Sequence, residues 1–153
     1  MEEQNLTASA IISFSEQLED RSAAFYAELA ARFAEHKETF LDFAEGSQKH
    51  KVWVTRTYQE TISDALEACF CFEGLPLSDY KIEPSLAKNA GYVDALAAAL
   101  ELEERAIQFY RDVAQRSESL LATIPGAFRR VAKKRSGRKL KLESLQKAAG
   151  SGS

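Results

Sequence analysis

Residues 19–33 read EDRSAAFYAELAARF and residues 103–117 read EERAIQFYRDVAQRS, a repeat at a constant offset of 84. Six of the fifteen positions are identical, Glu19/Glu103, Arg21/Arg105, Phe25/Phe109, Tyr26/Tyr110, Ala30/Ala114 and Arg32/Arg116, against about one expected by chance. Any fold for this chain must therefore be built from two related halves. Within each copy the apolar residues recur every three to four positions, the period of an amphipathic helix. The chain has only 7 Gly and 3 Pro in 153 residues, too few turns for a sandwich or barrel, which needs one roughly every ten residues.

Extending the periodicity outward predicts four helices in two antiparallel hairpins. The first runs from residue 7 or 9 to about residue 34, with Ile12, Phe14, Leu18, Phe25, Tyr26, Leu29 and Phe33 inward. A polar break at residues 35–38, too short for anything but a tight reversal, leads into a second helix over residues 37–68 carrying Phe40, Phe43, His50, Val54, Tyr58 and Ile62. Residues 69–91 hold two prolines and two glycines and read as a long crossover loop. The pattern restarts after Gly91 with Leu96, Leu100, Ile107, Tyr110 and Val113, and again after Pro125 and Gly126 with Phe128, Val131, Leu142 and Leu145. The expectation is one domain over residues 1–148, made of hairpins 8–68 and 92–148, with residues 149–153 a flexible tail.

Composition narrows the class. With 45% hydrophobic and 28% charged residues the chain reads as a globular protein. There is no run of about 18 apolar residues, and the start Met1-Glu2-Glu3-Gln4 is acidic where a secretory signal is basic. A cytoplasmic protein without membrane contact is expected. Cys69 and Cys71 have no second cysteine pair or nearby histidine to complete a zinc site, and read as buried or half-buried thiols, with a redox role as the alternative. Residues 129–142 carry eight basic side chains and no acidic one, while the net charge of −3 leaves −11 for the rest. Acidic residues at 16, 19, 20, 101, 103 and 104 supply counter-charges, so no nucleic-acid partner is expected.

The helical seams carry an unusual content. Core-facing positions of the fourth helix run Phe128, Val131, Arg135, Arg138, Leu142 and Leu145, which puts two arginines on the apolar stripe. Glu19, between Ser15 and Tyr26, and Glu103, between Leu100 and Tyr110, occupy matching positions on the first and third helices. Two negative and two positive charges are thus directed into one core, where charge is tolerated only when paired and hydrogen-bonded. Gly46 and Gly137 interrupt the second and fourth helices at a cost of about 1 kcal/mol each relative to alanine. A close helix approach or relaxed selection for a tight site accounts for either.

The duplicated Glu-x6-Tyr on first and third helices resembles the rubrerythrin-like branch of the ferritin-like superfamily, over about residues 8–148. That resemblance implies a ferritin-like four-helix bundle. It also implies a di-metal site built from one Glu on each of two helices and a Glu-x-x-His on each of the other two. Glu19 and Glu103 match the single glutamates. Counting from the shared Phe-x-x-x-Ala, the Glu-x-x-His positions fall on Ser47 and His50 and on Arg135 and Arg138, so three of six ligands remain. The guanidinium groups exclude a metal by charge, and their donor forks suit bidentate pairing with Glu19 and Glu103. Tyr26 and Tyr110 are expected to hydrogen-bond the central carboxylates, as their counterparts do in the family.

Two functional readings follow. In the first, a salt-bridge cluster has replaced the metals, no cofactor is bound, and the protein acts without catalysis through a homodimer or another protein partner. In the second, Glu19, His50 and Glu103 keep a reduced iron site for peroxide reduction or iron oxidation, although no Cys-x-x-Cys pair is present for a rubredoxin-type electron donor. His50, flanked by Lys49 and Lys51, reads more readily as a packed, hydrogen-bonded histidine than as a ligand. Phe70, Phe72, Leu75, Leu77 and Tyr80 put more apolar surface on the crossover than a lone loop exposes, which points to a dimer unless the crossover folds back over the bundle.

Overall fold

The computed structural model describes residues 6–61, 71–72, 77–117 and 123–151. Four long helices dominate: α1 over Ala8–Arg32, α2 over Lys37–Thr61, α4 over Tyr92–Ser117 and α5 over Thr123–Ser151. A single helical turn, α3, covers Leu77–Tyr80. At 25 to 29 residues the long helices each span roughly 37–44 Å. Among the described residues, no helix is long and apolar enough to cross a membrane.

The first hairpin closes through a 3-10 turn at Ala34–His36, entered at Phe33 with φ −119° and ψ 77°. α2 begins at Lys37, where the periodicity placed it, and Glu38 sits in its first turn, where a negative charge suits the helix N-terminus. At the start of α4, the Asp94 carboxylate accepts the Gly91 N–H at 3.1 Å, one half of a capping box, and the Ala95 N–H closes the first helical bond onto the Gly91 carbonyl at 3.0 Å.

α1 lies along α2 and α4 along α5, and the hairpins meet most closely through α2 and α5. Small residues at Gly46 and Ser47 on α2 face Arg138 on α5. α1 and α4 stand further apart and are bridged by rings, with Phe14 and Phe109 4.8 Å apart at their centroids. The core gathers the residues expected from the periodicity, including Leu18, Tyr26, Leu29, Phe40, Val54, Leu96, Tyr110, Phe128, Val131 and Leu142.

Two expectations need correcting. The crossover is not a plain loop: Cys71–Phe72 forms a two-residue strand, β2, paired antiparallel with β1 at Leu6–Thr7, in the register Leu6 to Phe72 and Thr7 to Cys71. Residues 149–151 of the expected flexible tail are helical, since α5 continues through them and Ala149 packs against the core. Of the two readings of the crossover, the folded-back one describes Leu77 and Tyr80, which with Ile82 and Leu86 pack against the core. Tyr80 donates a 2.5 Å hydrogen bond to Asp112, Arg105 donates to the Asp79 carbonyl, and Arg32 donates to the Ala87 carbonyl. The segment thus spans from α4 to α1 over their wider gap. Residues 62–68, expected to continue the second helix, and Cys69, Phe70 and Leu75 lie outside the described residues, as do the side chains of Cys71 and Phe72.

Candidate functional site

Glu19 on α1 and Glu103 on α4 occupy equivalent places in the repeat, each two helical turns before its tyrosine. Both point into the centre of the bundle and have no exposed surface. α5 delivers Arg135, also fully buried, and one turn later Arg138, 6% exposed. α2 contributes His50 and Ser47, both buried. The six positions singled out from the sequence therefore converge on one place.

Arg135 stands between the two carboxylates. Its Nε and Nη2 donate to the two oxygens of Glu19 at 3.2 and 2.8 Å, and its Nη1 donates to Glu103 Oε1 at 2.7 Å. Arg138 donates from Nη1 to Glu103 Oε2 at 3.2 Å and to the Ser47 hydroxyl at 3.2 Å, and from Nη2 to the Phe43 carbonyl at 3.0 Å. Bidentate pairing with Glu19 and Glu103 was expected, and only Glu19 receives it, from Arg135. One guanidinium bridges both carboxylates and the other steadies Glu103 from the side, because residues 135 and 138 are a turn apart on one helix and reach the centre at different depths.

The tyrosines exchange partners across the hairpins. Tyr26 of α1 donates to Glu103 Oε2, and Tyr110 of α4 donates to Glu19 Oε2, each at 2.5 Å. The Ser15 hydroxyl donates to the Tyr110 oxygen at 2.7 Å. Ser22 accepts from Arg135 Nη2 at 2.9 Å while donating to the Leu18 carbonyl at 2.8 Å. The His50 Nδ1–H donates to Glu19 Oε1 at 3.2 Å. All four carboxylate oxygens thus accept at least one charged or neutral donor. The guanidinium of Arg138 also lies 5.2 Å from the ring centroids of both Tyr26 and Phe43.

The electrostatics follow from this geometry. Burial opposes charge on Glu19, but Arg135 and the hydrogen bonds from His50 and Tyr110 outweigh it and hold the carboxyl at about 2. Glu103 is likewise held below the usual range, against the same burial, by Arg135, Arg138 and the Tyr26 hydroxyl. Burial lowers His50, with Glu19 opposing, so the imidazole is neutral at pH 7. Burial and the facing carboxylates raise both tyrosine hydroxyls well above their ordinary value, which keeps them as donors. The centre therefore holds two negative and two positive charges, with neutral hydroxyls and one neutral imidazole completing the shell.

Ser15, Ser22 and the Phe43 carbonyl were not anticipated. Ser15 and Ser22 sit one turn on either side of Glu19, the one signal that could have found them. Gly46 acquires a definite role, since a Cβ there would lie 3.0 Å from Arg138 Nη2. Gly137 has nothing within 4 Å of the equivalent point. Among the described residues, no three His, Cys, Asp or Glu side chains gather as a metal-ion group. Compared with protein-family models, curated proteins and solved structures, the chain matches none.

Proposed function

We propose that this chain is a non-catalytic, ferritin-like protein of rubrerythrin-like descent, in which a buried Glu/Arg cluster stands where a di-iron centre would be. The observation carrying this reading is the Arg135 guanidinium seated between Glu19 and Glu103. Two ferrous ions need an open, electron-rich cage of carboxylate and imidazole donors. Here every carboxylate oxygen is already engaged, and two of the six ligand positions carry fixed positive charge. The residues do not fit di-iron. A reduced site from Glu19, His50 and Glu103 would need Arg135 displaced from both carboxylates, leaving a buried guanidinium unpaired.

Without reactive groups at the centre, the cluster serves the fold. It ties α1 to α5 and α4 to both, so that each hairpin supplies the counter-charge or donor the other lacks. Function then resides on the outer surfaces, through self-association or contact with another protein. Elemental analysis of the protein purified from iron-supplemented medium tests this. Well under a tenth of an equivalent of iron per chain is expected, and about two per chain would overturn the reading.

A further inference from the structure

The outward face of α2 carries a charge pattern that its own chain does not answer. Glu38, Asp42 and Glu45 lie exposed along its first half, and Lys49 and Arg56 along its second, at three- and four-residue steps that place them on one stripe. Leu41 and Val52, 38% and 48% exposed, fall on the same stripe, two of the four large hydrophobic residues exposed among the described residues. On the neighbouring stripe Lys51 is paired with Asp20 at 3.0 Å. None of the five outward charges has an ion-pair or hydrogen-bond partner among the described residues. Glu38 and Asp42, and Asp42 and Glu45, stand at spacings where like charges repel on a helix. The helix macrodipole acts within the first and last turns, so it does not account for the change of sign between Glu45 and Lys49 in mid-helix.

The pattern is self-complementary about Ser47. Glu45 and Lys49 are each two residues from that point, and Glu38 and Arg56 are each nine. We propose that this face is a two-fold interface with a second copy of the chain, the two α2 helices lying antiparallel and crossing near Gln48. In that arrangement Glu38 meets Arg56 of the second copy, Glu45 meets Lys49, Asp42 falls between the two cations, and Leu41 packs on Val52. A two-fold axis makes each contact twice and closes the assembly at a dimer. One helix face with two apolar side chains gives a small interface, so association is electrostatic and weakens with salt. This dimer gives the surface that the proposed function leaves open, and it rests on that reading only for its biological sense. Iron in the purified protein overturns the first and leaves the second standing.

Sedimentation of the full chain at high micromolar concentration tests it. In about 0.01 M salt, where charges are felt over roughly 30 Å, the parent should sediment at twice the chain mass. In about 1 M salt, where the screening length is roughly 3 Å, it should fall to the monomer. Lys49→Glu with Arg56→Glu makes the stripe wholly acidic, and Glu38→Lys with Glu45→Lys leaves it basic but for Asp42. Each variant alone should be monomeric in low salt with an unchanged helical spectrum, and an equal mixture of the two should recover the dimer. A parent that is monomeric in low salt, variants that dimerise as well as the parent, or a mixture that stays monomeric would each overturn the proposal. The salt dependence of the parent stands as a test even if a variant fails to fold.

Discussion

α1 and α4 repeat one another around the centre, whereas α2 and α5 share Phe40/Phe128 and Ala44/Ala132 but have diverged at the positions that meet the carboxylates, Ser47/Arg135 and His50/Arg138. The copied pair carries the negative charge and the tyrosines, and uses them reciprocally: each carboxylate accepts the hydroxyl of the other hairpin. The diverged pair supplies the compensation unequally. α5 brings both guanidinium groups, while α2 brings a neutral imidazole, a hydroxyl and a gap at Gly46 into which Arg138 fits. Symmetry is thus retained where the two hairpins bond to each other and lost where charge had to be balanced. Neither hairpin closes its own shell, so the centre holds the halves together and does not simply fill them.

Breaking the diverged side should cost most. Arg135→Ala leaves two buried carboxylates short of their main counter-charge, and a stability loss of about 3–5 kcal/mol is expected from urea unfolding at pH 8. In the parent, Glu19 sits at about 2 against an ordinary 4.5, so its contribution is present above 4.5 and lost only as pH falls toward 2. In the variant, uncompensated burial raises the carboxyl, and protonation relieves the penalty as pH falls through that raised value. The gap between the two proteins should therefore narrow from pH 8 to pH 5. A loss below about 1 kcal/mol, unchanged over that range, would mean Arg135 is solvated.

The copied side should be sensitive to a lesser degree, and asymmetrically. A hydrogen bond to a carboxylate contributes roughly 1.5–3 kcal/mol, which sets the scale for Tyr26→Phe and Tyr110→Phe. Tyr110→Phe should be the worse of the two, because it also strands the buried Ser15 hydroxyl, whereas the carboxylate oxygen keeps an arginine N–H in both variants, Glu19 Oε2 from Arg135 and Glu103 Oε2 from Arg138. Equal losses in thermal unfolding would show that Ser15 has another partner.

The smallest effects separate the two glycines. Gly46→Ala gains helix propensity but presses a methyl group on a guanidinium held by Ser47, Glu103 and the Phe43 carbonyl, so a net loss of about 1 kcal/mol is expected. Gly137→Ala meets nothing and should stabilise by about 0.5–1 kcal/mol. Opposite signs in melting temperature are the outcome to look for.

Much of this was legible beforehand. The long helices, the reversal near residue 36 and the burial of Glu19, Glu103, Arg135 and Arg138 all follow from a 3.6-residue period and an internal repeat. These are local signals. What escaped was set by register between helices distant in sequence: which carboxylate each tyrosine reaches, how one arginine spans both glutamates, and why Gly46 is small. The crossover and tail were misjudged for a related reason. Glycine and proline mark where a chain can turn, but Tyr80 on Phe109 and Ala149 against the core are decided by tertiary packing.

The central claim, that guanidinium groups stand at former metal positions, is tested most directly by rebuilding those positions. Ser47→Glu, Arg135→Glu and Arg138→His together complete a Glu-x-x-His on α2 and on α5. Without metal this variant should melt below the parent, since four carboxylates then crowd the centre. With ferrous or manganous ion it should recover, by about 2.7 kcal/mol at a hundredfold excess over the dissociation constant, while the parent gains nothing. A variant that keeps its helical spectrum yet melts at the same temperature with and without either metal would contradict the claim.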